Sequence, residues 1–282
     1  MSGKFEAHAV RTRYWRPGTD YVREVVNAVK GLVRDGDVVA VSEKAVSTAS
    51  GNILDESLFK PSLLSKLLVA FWMRLVWGFF LGRLCRLRPR TIRRLRNYPL
   101  YEGAVHKQVA LRAVGLLQAL RHYSEGGIDG SNLPYSYVSL PLRDASRVAE
   151  EIRRAILDET GKKVTVMIVD GDTTYTVGGL HLAPRKVDVE GLLHFGGFLT
   201  FVLGRALGGR GRATPIAISG SSMTPEDALE AADTAHRAMG PGAGRTVWDM
   251  ARRFGTTLTG VTWEMLESVE HRPVVVLRRV NL

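Results

Sequence analysis

Cysteine and glutamine are scarce in this chain. Its 282 residues include one cysteine, Cys85, so an intramolecular disulfide and a cysteine-based zinc site are both excluded. This usage fits a reducing cytosol, and we expect a cytoplasmic protein. Glutamine occurs only at Gln108 and Gln118, and arginine greatly outnumbers lysine. Because some thermophile families replace lysine by arginine, this composition favours a thermophilic or archaeal protein.

Several familiar signals of location and chemistry are missing as well. The N-terminal stretch MSGKFEAHAVRTRYW contains no apolar core, so we expect no secretory signal. The seven histidines lack the HxxxH spacing of metal ligands, and we expect each of them to be structural. No serine lies in a GxSxG elbow, which argues against a serine hydrolase.

Uninterrupted apolar runs are too short for a membrane span. Lys66 and Arg74 divide the most apolar stretch, Leu63 to Leu84, into runs of seven and eight residues, whereas a bilayer core requires about 20. We therefore expect no transmembrane span, and a buried helix or a helix in a dimer interface instead. The aromatic anchors of such an interface would be Phe71, Trp72, Trp77, Phe79 and Phe80.

Positive charge is abundant and partly local. The formal net charge is +11, and seven arginines lie between Arg83 and Arg96. One interpretation is a surface for nucleic acid, anionic lipid or an acidic small molecule, and the other is a solvated helix face with ion pairs. Aromatic residues are absent from this run, although a stacking platform for bases requires them.

The order of helices and strands predicts a fold with mixed α and β content. Helices are predicted over residues 21–33, 106–122, 144–160, 224–238 and 247–254. Strands are predicted at 38–42, 135–142, 164–169, 215–222 and 271–280, with an acidic turn at 170–172 followed by a return strand. A change of composition near Arg185 divides the chain into parts 1–185 and 186–282, and residues 63–98 form an apolar and arginine-rich insertion in the first part.

Two oxygen-rich segments are candidates for a metal site. The segment GGIDGSNLP contains Asp129 and Asn132, and the later segment DGD adds Asp170 and Asp172. Oxygen ligands without cysteine or paired histidines suit Mg²⁺ or Mn²⁺ rather than Zn²⁺. The same residues are ordinary turn formers, so a site and a plain turn both remain open at this point.

A glycine-rich stretch, MGPGAGR, follows the predicted helix 224–238. Backbone N–H groups at Gly240, Gly242 and Gly244 could bind phosphate, and Arg245 would add positive charge. The spacing matches neither GxGxxG nor a Walker loop. A helix C-terminal cap that continues into a flexible loop is the alternative interpretation.

Four segments occur in an order that one known family shares. They are DGDVVAVSEKAVSTASG (35–51), GGIDGSNLP (126–134), ILDETGKKVTVMIVD (156–170), and MGPGAG with PVVVLRR near the C-terminus. The family shows a strand that ends in a serine-containing turn, a Gly-Ile/Val-Asp-Ala-Ser-Asn loop and an LxxxTGKxVxVxIxD segment. The chain thus resembles the gamma-glutamyl ligase family that adds glutamate to coenzyme F420.

The resemblance implies a set of metal and nucleotide residues. The family aspartate of the central loop binds a divalent metal and matches Asp129, and the second metal ligand matches Asp170, with Asp172 as a competing alignment. The nucleotide-binding residues implied in the same way are Asn132, Ser42, Lys44, Gly18, Gly240, Gly242 and Arg245. The resemblance gives no catalytic acid or base.

The same resemblance implies the chemistry and the partners. GTP would phosphorylate a substrate carboxylate, and the amine of L-glutamate would then attack the acyl phosphate. The other substrate would be an anionic precursor of coenzyme F420, and Mg²⁺ or Mn²⁺ would assist. The resemblance also implies an α+β fold with mixed sheets in two intertwined subdomains, and a homodimer.

One departure from the family pattern is chemically important. The family has Ser-Lys-Ala-Glu-Gly where this chain has Ser47 to Gly51, so Thr48 replaces the nucleotide-binding lysine and Ser50 replaces the glutamate. Lys44, one turn earlier, is the candidate substitute. The alternative hypothesis is a catalytically divergent member that binds an anionic ligand or nucleic acid through Arg83–Arg96.

Overall fold

The computed structural model describes residues 4–123 and 125–280. A mixed seven-stranded sheet contains β1 (Phe5–Thr12), β2 (Val38–Ser42), β5 (Thr165–Val177), β6 (Leu180–Ala183), β7 (Leu192–His194), β8 (Arg210–Ser219) and β9 (His271–Arg279). The strands β3 (Ile53–Asp55) and β4 (Tyr137–Ser139) form a separate two-stranded sheet. The predicted α+β class is confirmed.

Helices fill the intervals between these strands. They are α1 (Tyr21–Val29), α2 (Glu43–Ala49), α3 (Leu63–Leu84), α4 (Pro89–Arg96), α5 (Leu100–Ala113), α6 (Leu116–Ala119), α7 (Ala145–Thr160), α8 (Phe198–Ala206), α9 (Pro225–Met239), α10 (Val247–Phe254) and α11 (Trp263–Glu267). A short 3-10 turn covers Glu56–Leu58.

The large sheet takes strands from both predicted parts of the chain. Its order is β1-β9-β2-β5-β6-β7, and β8 pairs with β5 as well. Strand β9 lies antiparallel between β1 and β2, and β2 runs parallel to β5. Residues 1–185 and 186–282 therefore contribute to one common sheet.

Alternation along β2 explains why helices cover both faces of this sheet. Val39 and Val41 point into a core with α1 and α7, whereas Val38 and Ala40 point into a core with α9. Successive side chains of a strand face opposite sides, so an apolar residue at every position requires cover on both sides. The VVAVS run thus accounts for a three-layer arrangement.

Helix ends follow the predicted capping residues. The Asp144 carboxylate accepts the backbone N–H of Arg147 at 3.0 Å at the start of α7. Thr224 caps α9 in the same way, and Pro225 occupies its first position. An N-cap oxygen satisfies a backbone N–H that has no partner within its own helix, so these two predicted helices are confirmed.

The predicted helix over residues 106–122 is wrong in extent. Helix α5 covers Leu100–Ala113, and α6 starts only at Leu116. Gly115 lies between them with φ of 84°, a conformation outside the right-handed helical region.

The predicted acidic turn at residues 170–172 is also wrong, because β5 continues through it. The strand runs for 13 residues with a bulge between Asp170 and Thr173, opposite β8. Valine, isoleucine and threonine, which favour strands, lie on both sides of the bulge, and β8 pairs with β5 along both halves. The chain reverses instead between β5 and β6.

The insertion 63–98 forms a helical layer in which α3 has two different sides. Met73 and Trp77 are fully buried, and the indole N–H groups of Trp72 and Trp77 both donate to the carbonyl of Leu120 at 2.8 Å. The opposite side is open: Phe71 is 58% and Phe80 is 70% exposed. The prediction of a buried helix therefore holds for one side of α3 and is wrong for the other.

Helix α3 is long and apolar enough, by length and composition alone, to cross a membrane. Its most apolar 18-residue window has a mean hydropathy of 1.6, and 33% of that window is buried.

The arginines of residues 83–96 differ in their surroundings. Arg90 and Arg94 form ion pairs with Asp249, at 2.9 Å each, whereas Arg83 and Arg86 are exposed.

We predict that substitutions on the two sides of α3 differ strongly in cost. Met73→Ala should lower the free energy of unfolding by about 2–5 kcal/mol, because it leaves a cavity in the core. Leu75→Ala, on the open side, should change it by less than about 0.5 kcal/mol. Urea unfolding of both variants measures the difference. Equal losses would show that the open side of α3 is covered in the folded protein.

Candidate functional site

A cavity of about 530 Å³ opens at the carboxyl ends of β2 and of the first half of β5. Parallel neighbours end at the same edge of a sheet, which is where α/β sheets commonly bind ligands. Two loops contribute to its walls: the central loop, residues 126–134, and the glycine-rich loop, residues 240–245. The volume lies within the range of small-molecule sites.

Lys44 and Asp129 meet at one wall of the cavity. The Lys44 ammonium donates to Asp129 Oδ2 at 2.5 Å, to Ser131 Oγ at 2.7 Å and to the Ser131 carbonyl at 3.1 Å. Asp129 Oδ1 in turn accepts the backbone N–H of Ser131 at 2.6 Å. The central loop thus presents three oxygens that together hold one positive charge.

Asn132 joins the central loop to the glycine-rich loop. Its Oδ1 accepts the backbone N–H of Ala243 at 2.6 Å, and its Nδ2 donates to the carbonyl of Gly244 at 3.1 Å. Gly242 has φ of 57°, and a Cβ there would lie 2.5 Å from Asn132 Oδ1, so glycine is required. The Asn132 amide, which we expected to contact nucleotide, is occupied in shaping the loop.

Arg185 connects three segments beneath the cavity. Its guanidinium donates to both carboxylate oxygens of Glu43, at 2.5 and 2.8 Å, and to Asp170 Oδ2 at 2.8 Å. Arg185 is 6% and Glu43 is 2% exposed. The guanidinium also packs so closely on Gly127 of the central loop that a Cβ there would overlap with it. Helix α2, strand β5 and the central loop are therefore fixed relative to one another.

The two aspartates of the β5 bulge have different partners. Asp170 is held by Arg185, whereas both oxygens of Asp172 accept from Arg121, at 2.5 and 2.6 Å. The Asp172 residue is 3% exposed. Asp172 reaches the cavity wall, but its carboxylate is already occupied in a buried ion pair.

Asp170 stays ionised at the cavity wall. Burial opposes its negative charge, but the charge and hydrogen bond of Arg185 outweigh it and lower the pKa of Asp170 below its ordinary value. His236 lines the same wall and lies against Gly171. Partial removal from water lowers the pKa of His236, so its imidazole is neutral at pH 7.

The remaining predicted nucleotide residues separate into two groups. Ser42, Gly240 and Arg245 line the cavity, and Arg245 is exposed. Within the ranges 4–123 and 125–280, no carboxylate forms an ion pair with Arg245. Gly18 lies elsewhere: its backbone N–H donates to the carbonyl of Ala49 at 2.9 Å, and it is absent from the cavity wall.

The oxygens of this cavity fit a divalent cation that takes some ligands from a substrate. Across the described part of the chain, no three His, Cys, Asp or Glu side chains lie close enough together to hold an ion unaided. Mg²⁺, however, usually takes only one or two carboxylates from the protein and fills its other positions with water and phosphate. Asp129 and Asp170 both line the cavity, and the oxygens around Lys44 already accept a cation.

Several residues of the site carry no signal in the sequence. Arg185 marks only a change in composition, and Glu43 and Arg121 belong to no motif. His236, expected to be structural, lies at the cavity wall. Each acquires its role from partners distant along the chain, as with Arg121 and Asp172, 51 positions apart. A metal-ligand or nucleophile spacing cannot reveal such pairs.

We predict that Arg185→Met destabilises the protein by about 3–5 kcal/mol at pH 7, because two buried carboxylates lose their partner. Burial already raises the pKa of Glu43. Without Arg185, burial should raise it further and should also raise the pKa of Asp170, which Arg185 now keeps low. The folded variant then binds protons more readily than the unfolded chain, so it regains stability as the pH falls.

Urea unfolding at pH 7 and at pH 5 measures this recovery. The matched control is Arg147→Met, because the Arg147 side chain is 72% exposed and lies 3.6 Å from Asp144. The control should change the free energy of unfolding by less than about 1 kcal/mol at either pH. An equal loss for Arg185→Met at both pH values would contradict a role as a charge partner.

Comparison with known proteins agrees with the motifs of the central loop and of β5. Residues 9–192 match the family described as F420-0:Gamma-glutamyl ligase, well over half of the chain. An uncharacterized protein of Methanocaldococcus jannaschii is 34% identical over 287 residues, covering 96% of both chains. Lys44, Asp129 and Asp170 of the cavity wall lie within this match, which supports a ligase role. The chain therefore belongs to the F420-0:gamma-glutamyl ligase family, as its motifs predict.

Proposed function

We propose that the chain is a GTP- and divalent-metal-dependent ligase that forms an amide between L-glutamate and a coenzyme F420 precursor or a related carboxylate. The observation that carries this proposal is one cavity in which two carboxylates, two cationic side chains and a glycine-rich loop meet. These are Asp129 and Asp170, Lys44 and Arg245, and residues 240–245. Phosphoryl transfer needs chiefly such positioning and charge compensation.

Lys44 and Arg245 are the groups suited to the nucleotide phosphates. Thr48, at the position of the family lysine, donates its hydroxyl to the carbonyl of Lys44 at 2.8 Å, one turn earlier on α2. The Lys44 ammonium reaches the cavity from that turn. We therefore assign to Lys44 the phosphate contact that Thr48 cannot make. Arg245, exposed at the end of the glycine-rich loop, supplies a planar donor for a second phosphate oxygen.

Asp129 and Asp170 are the residues that would hold Mg²⁺ or Mn²⁺. When bound, such an ion neutralises phosphate charge and orients the nucleotide. The protein contributes by keeping Asp170 ionised through Arg185 and by fixing the central loop against Arg185 at Gly127. Both carboxylates thereby lie on segments that are fixed before a ligand arrives.

The chemistry we propose has two steps. A substrate carboxylate oxygen attacks the γ-phosphorus of GTP, and GDP leaves. The glutamate amine then attacks the acyl carbon, an amide bond forms, and inorganic phosphate leaves with the electron pair of the broken C–O bond. The attacking amine loses a proton, and His236 at the cavity wall is suited to accept it because its lowered pKa leaves the imidazole neutral at pH 7. The homodimer implied by the resemblance stays a prediction.

We predict that Asp129→Asn removes metal-dependent nucleotide binding. The wild-type protein should gain thermal stability from GTP with Mn²⁺, because a ligand that binds only the folded state stabilises it. The variant should lose this gain and lose about 100-fold or more in the rate of GDP formation with glutamate and the precursor. Asp158→Asn, at an exposed position of α7, is the matched control and should behave as the wild type.

A wild-type protein without any thermal response to GTP at any Mn²⁺ concentration would contradict the proposal. A response that persists unchanged in Asp129→Asn would reject the central loop as the metal site. Product formation with ATP but not GTP would keep the ligase and reject the nucleotide.

We also predict that Lys44→Met weakens GTP binding by roughly 10- to 100-fold, the effect of losing one hydrogen bond to a charged group. Lys162→Met is the matched control, because the Lys162 side chain is 46% exposed and lies away from the cavity. Titration calorimetry with GTP and Mn²⁺ measures both constants. Unchanged affinity in Lys44→Met would show that Lys44 does not replace the family lysine.

A further inference from the structure

The open side of α3 presents a continuous apolar stripe. Phe71, Leu75, Phe80 and Leu84 are 46% to 70% exposed. Their spacings of four and five residues are wider than the 3.6-residue period of an α-helix. The helix is wound as a π-helix from Leu68 to Leu81, and its wider turn brings residues at these spacings to one side. The stripe therefore runs along most of the helix.

Two neighbouring helices extend the same apolar region. Helix α8 packs against the end of α3 and against α6, and the ring of Phe198 lies edge-on to Trp72 at 5.6 Å. Exposed leucines occur on both neighbours, at Leu117 of α6 and Leu203 of α8. Three packed helices thus each expose apolar side chains, whereas an ordinary protein surface exposes such side chains singly.

The charge around this surface is of one sign. Residues 63–101 contain nine basic residues and no acidic residue. Arg83 and Arg86 are exposed beside Leu84, and Arg205 of α8 donates to the carbonyl of Cys85 at 3.1 Å, which brings this helix to the same end. Exposed apolar side chains next to arginines are typical of a helix that lies on an anionic lipid surface.

The buried side of α3 argues against insertion across the bilayer. Met73 and Trp77 pack inside the protein, and the Arg74 guanidinium donates to the carbonyl of Tyr98 at 2.8 and 2.6 Å. A helix that spans a bilayer alone needs lipid on all sides, whereas α3 is attached along its length to the rest of the protein. Only its outer side can meet lipid.

We infer that the outer side of α3, with α6 and α8, docks this protein on the surface of a membrane that contains anionic lipids. The exposed leucines and phenylalanines enter the boundary between head groups and acyl chains. Arg83 and Arg86 bind lipid phosphates. Other elements form the cavity with Asp129 and Lys44, so membrane docking does not involve the residues proposed for the reaction.

Sedimentation of the full-length protein with vesicles tests this inference. The wild type should bind vesicles of equimolar phosphatidylglycerol and phosphatidylcholine, should not bind phosphatidylcholine alone, and should be released by high salt. Arg83→Gln with Arg86→Gln should weaken binding by roughly 30-fold. The matched control is Arg147→Gln with Arg154→Gln, two exposed arginines of α7, which should bind as the wild type.

A second pair of variants tests the apolar contribution. Phe71→Ser with Leu75→Ser should weaken vesicle binding by more than roughly tenfold, without lowering the melting temperature, because both side chains are already exposed. Val280→Ser is the matched control, at an exposed position after β9. The apolar pair also separates lipid from nucleic acid, since removing apolar side chains should not affect phosphate contacts.

Four outcomes would overturn the inference. The first is failure of the wild type to bind anionic vesicles, and the second is retention on vesicles through high salt and alkaline carbonate, which would mean an inserted helix. The third is a dimer in light scattering that Phe71→Ser with Leu75→Ser converts to a monomer, which would mean that a second copy covers this surface. The fourth is salt-sensitive RNA binding that the arginine pair abolishes while vesicle binding is unchanged.

Discussion

The ion pairs of the buried Arg185 guanidinium are the constraint on which the site depends. Burial disfavours a charged arginine, but Glu43 and Asp170 raise the pKa of Arg185 above its ordinary value. Removing Arg185 would leave the carboxylates of Glu43 and Asp170 without this charge partner. Because Arg185, Glu43 and Asp170 come from different segments, their ion pairs also fix where these segments lie. The central loop packs on the guanidinium at Gly127, where there is no side chain to obstruct it.

A second layer of contacts converts this fixed base into a cavity. Asn132 ties the glycine-rich loop to the central loop, and the Tyr14 hydroxyl donates to the carbonyl of Asn132. The glycines of the loop are needed for close approach, as Gly242 shows, rather than for flexibility. The glycine-rich loop therefore has a fixed conformation at the cavity wall, and Arg245 at its end is exposed to solvent.

Much of the fold follows from local sequence, and much of the site does not. Capping at Asp144 and Thr224 and the apolar run of β2 have local physical causes, so they can be predicted. The bulge at Asp170 could not, because whether a strand turns or continues depends on a distant partner, β8. For the same reason the sequence places Asp129 and Asp170 at the site but cannot distinguish Asp170 from Asp172, whose roles are decided by Arg185 and Arg121.

The Lys44 ammonium and a metal ion would compete for the same oxygens of the central loop. An ion can take the Asp129 carboxylate fully only if Lys44 moves away, and a phosphate group gives Lys44 an alternative partner. Nucleotide would thus increase the affinity for metal, and by thermodynamic reciprocity metal would increase the affinity for nucleotide. The contact between Lys44 and Asp129 would thus make the binding of metal and nucleotide at the proposed site mutually dependent.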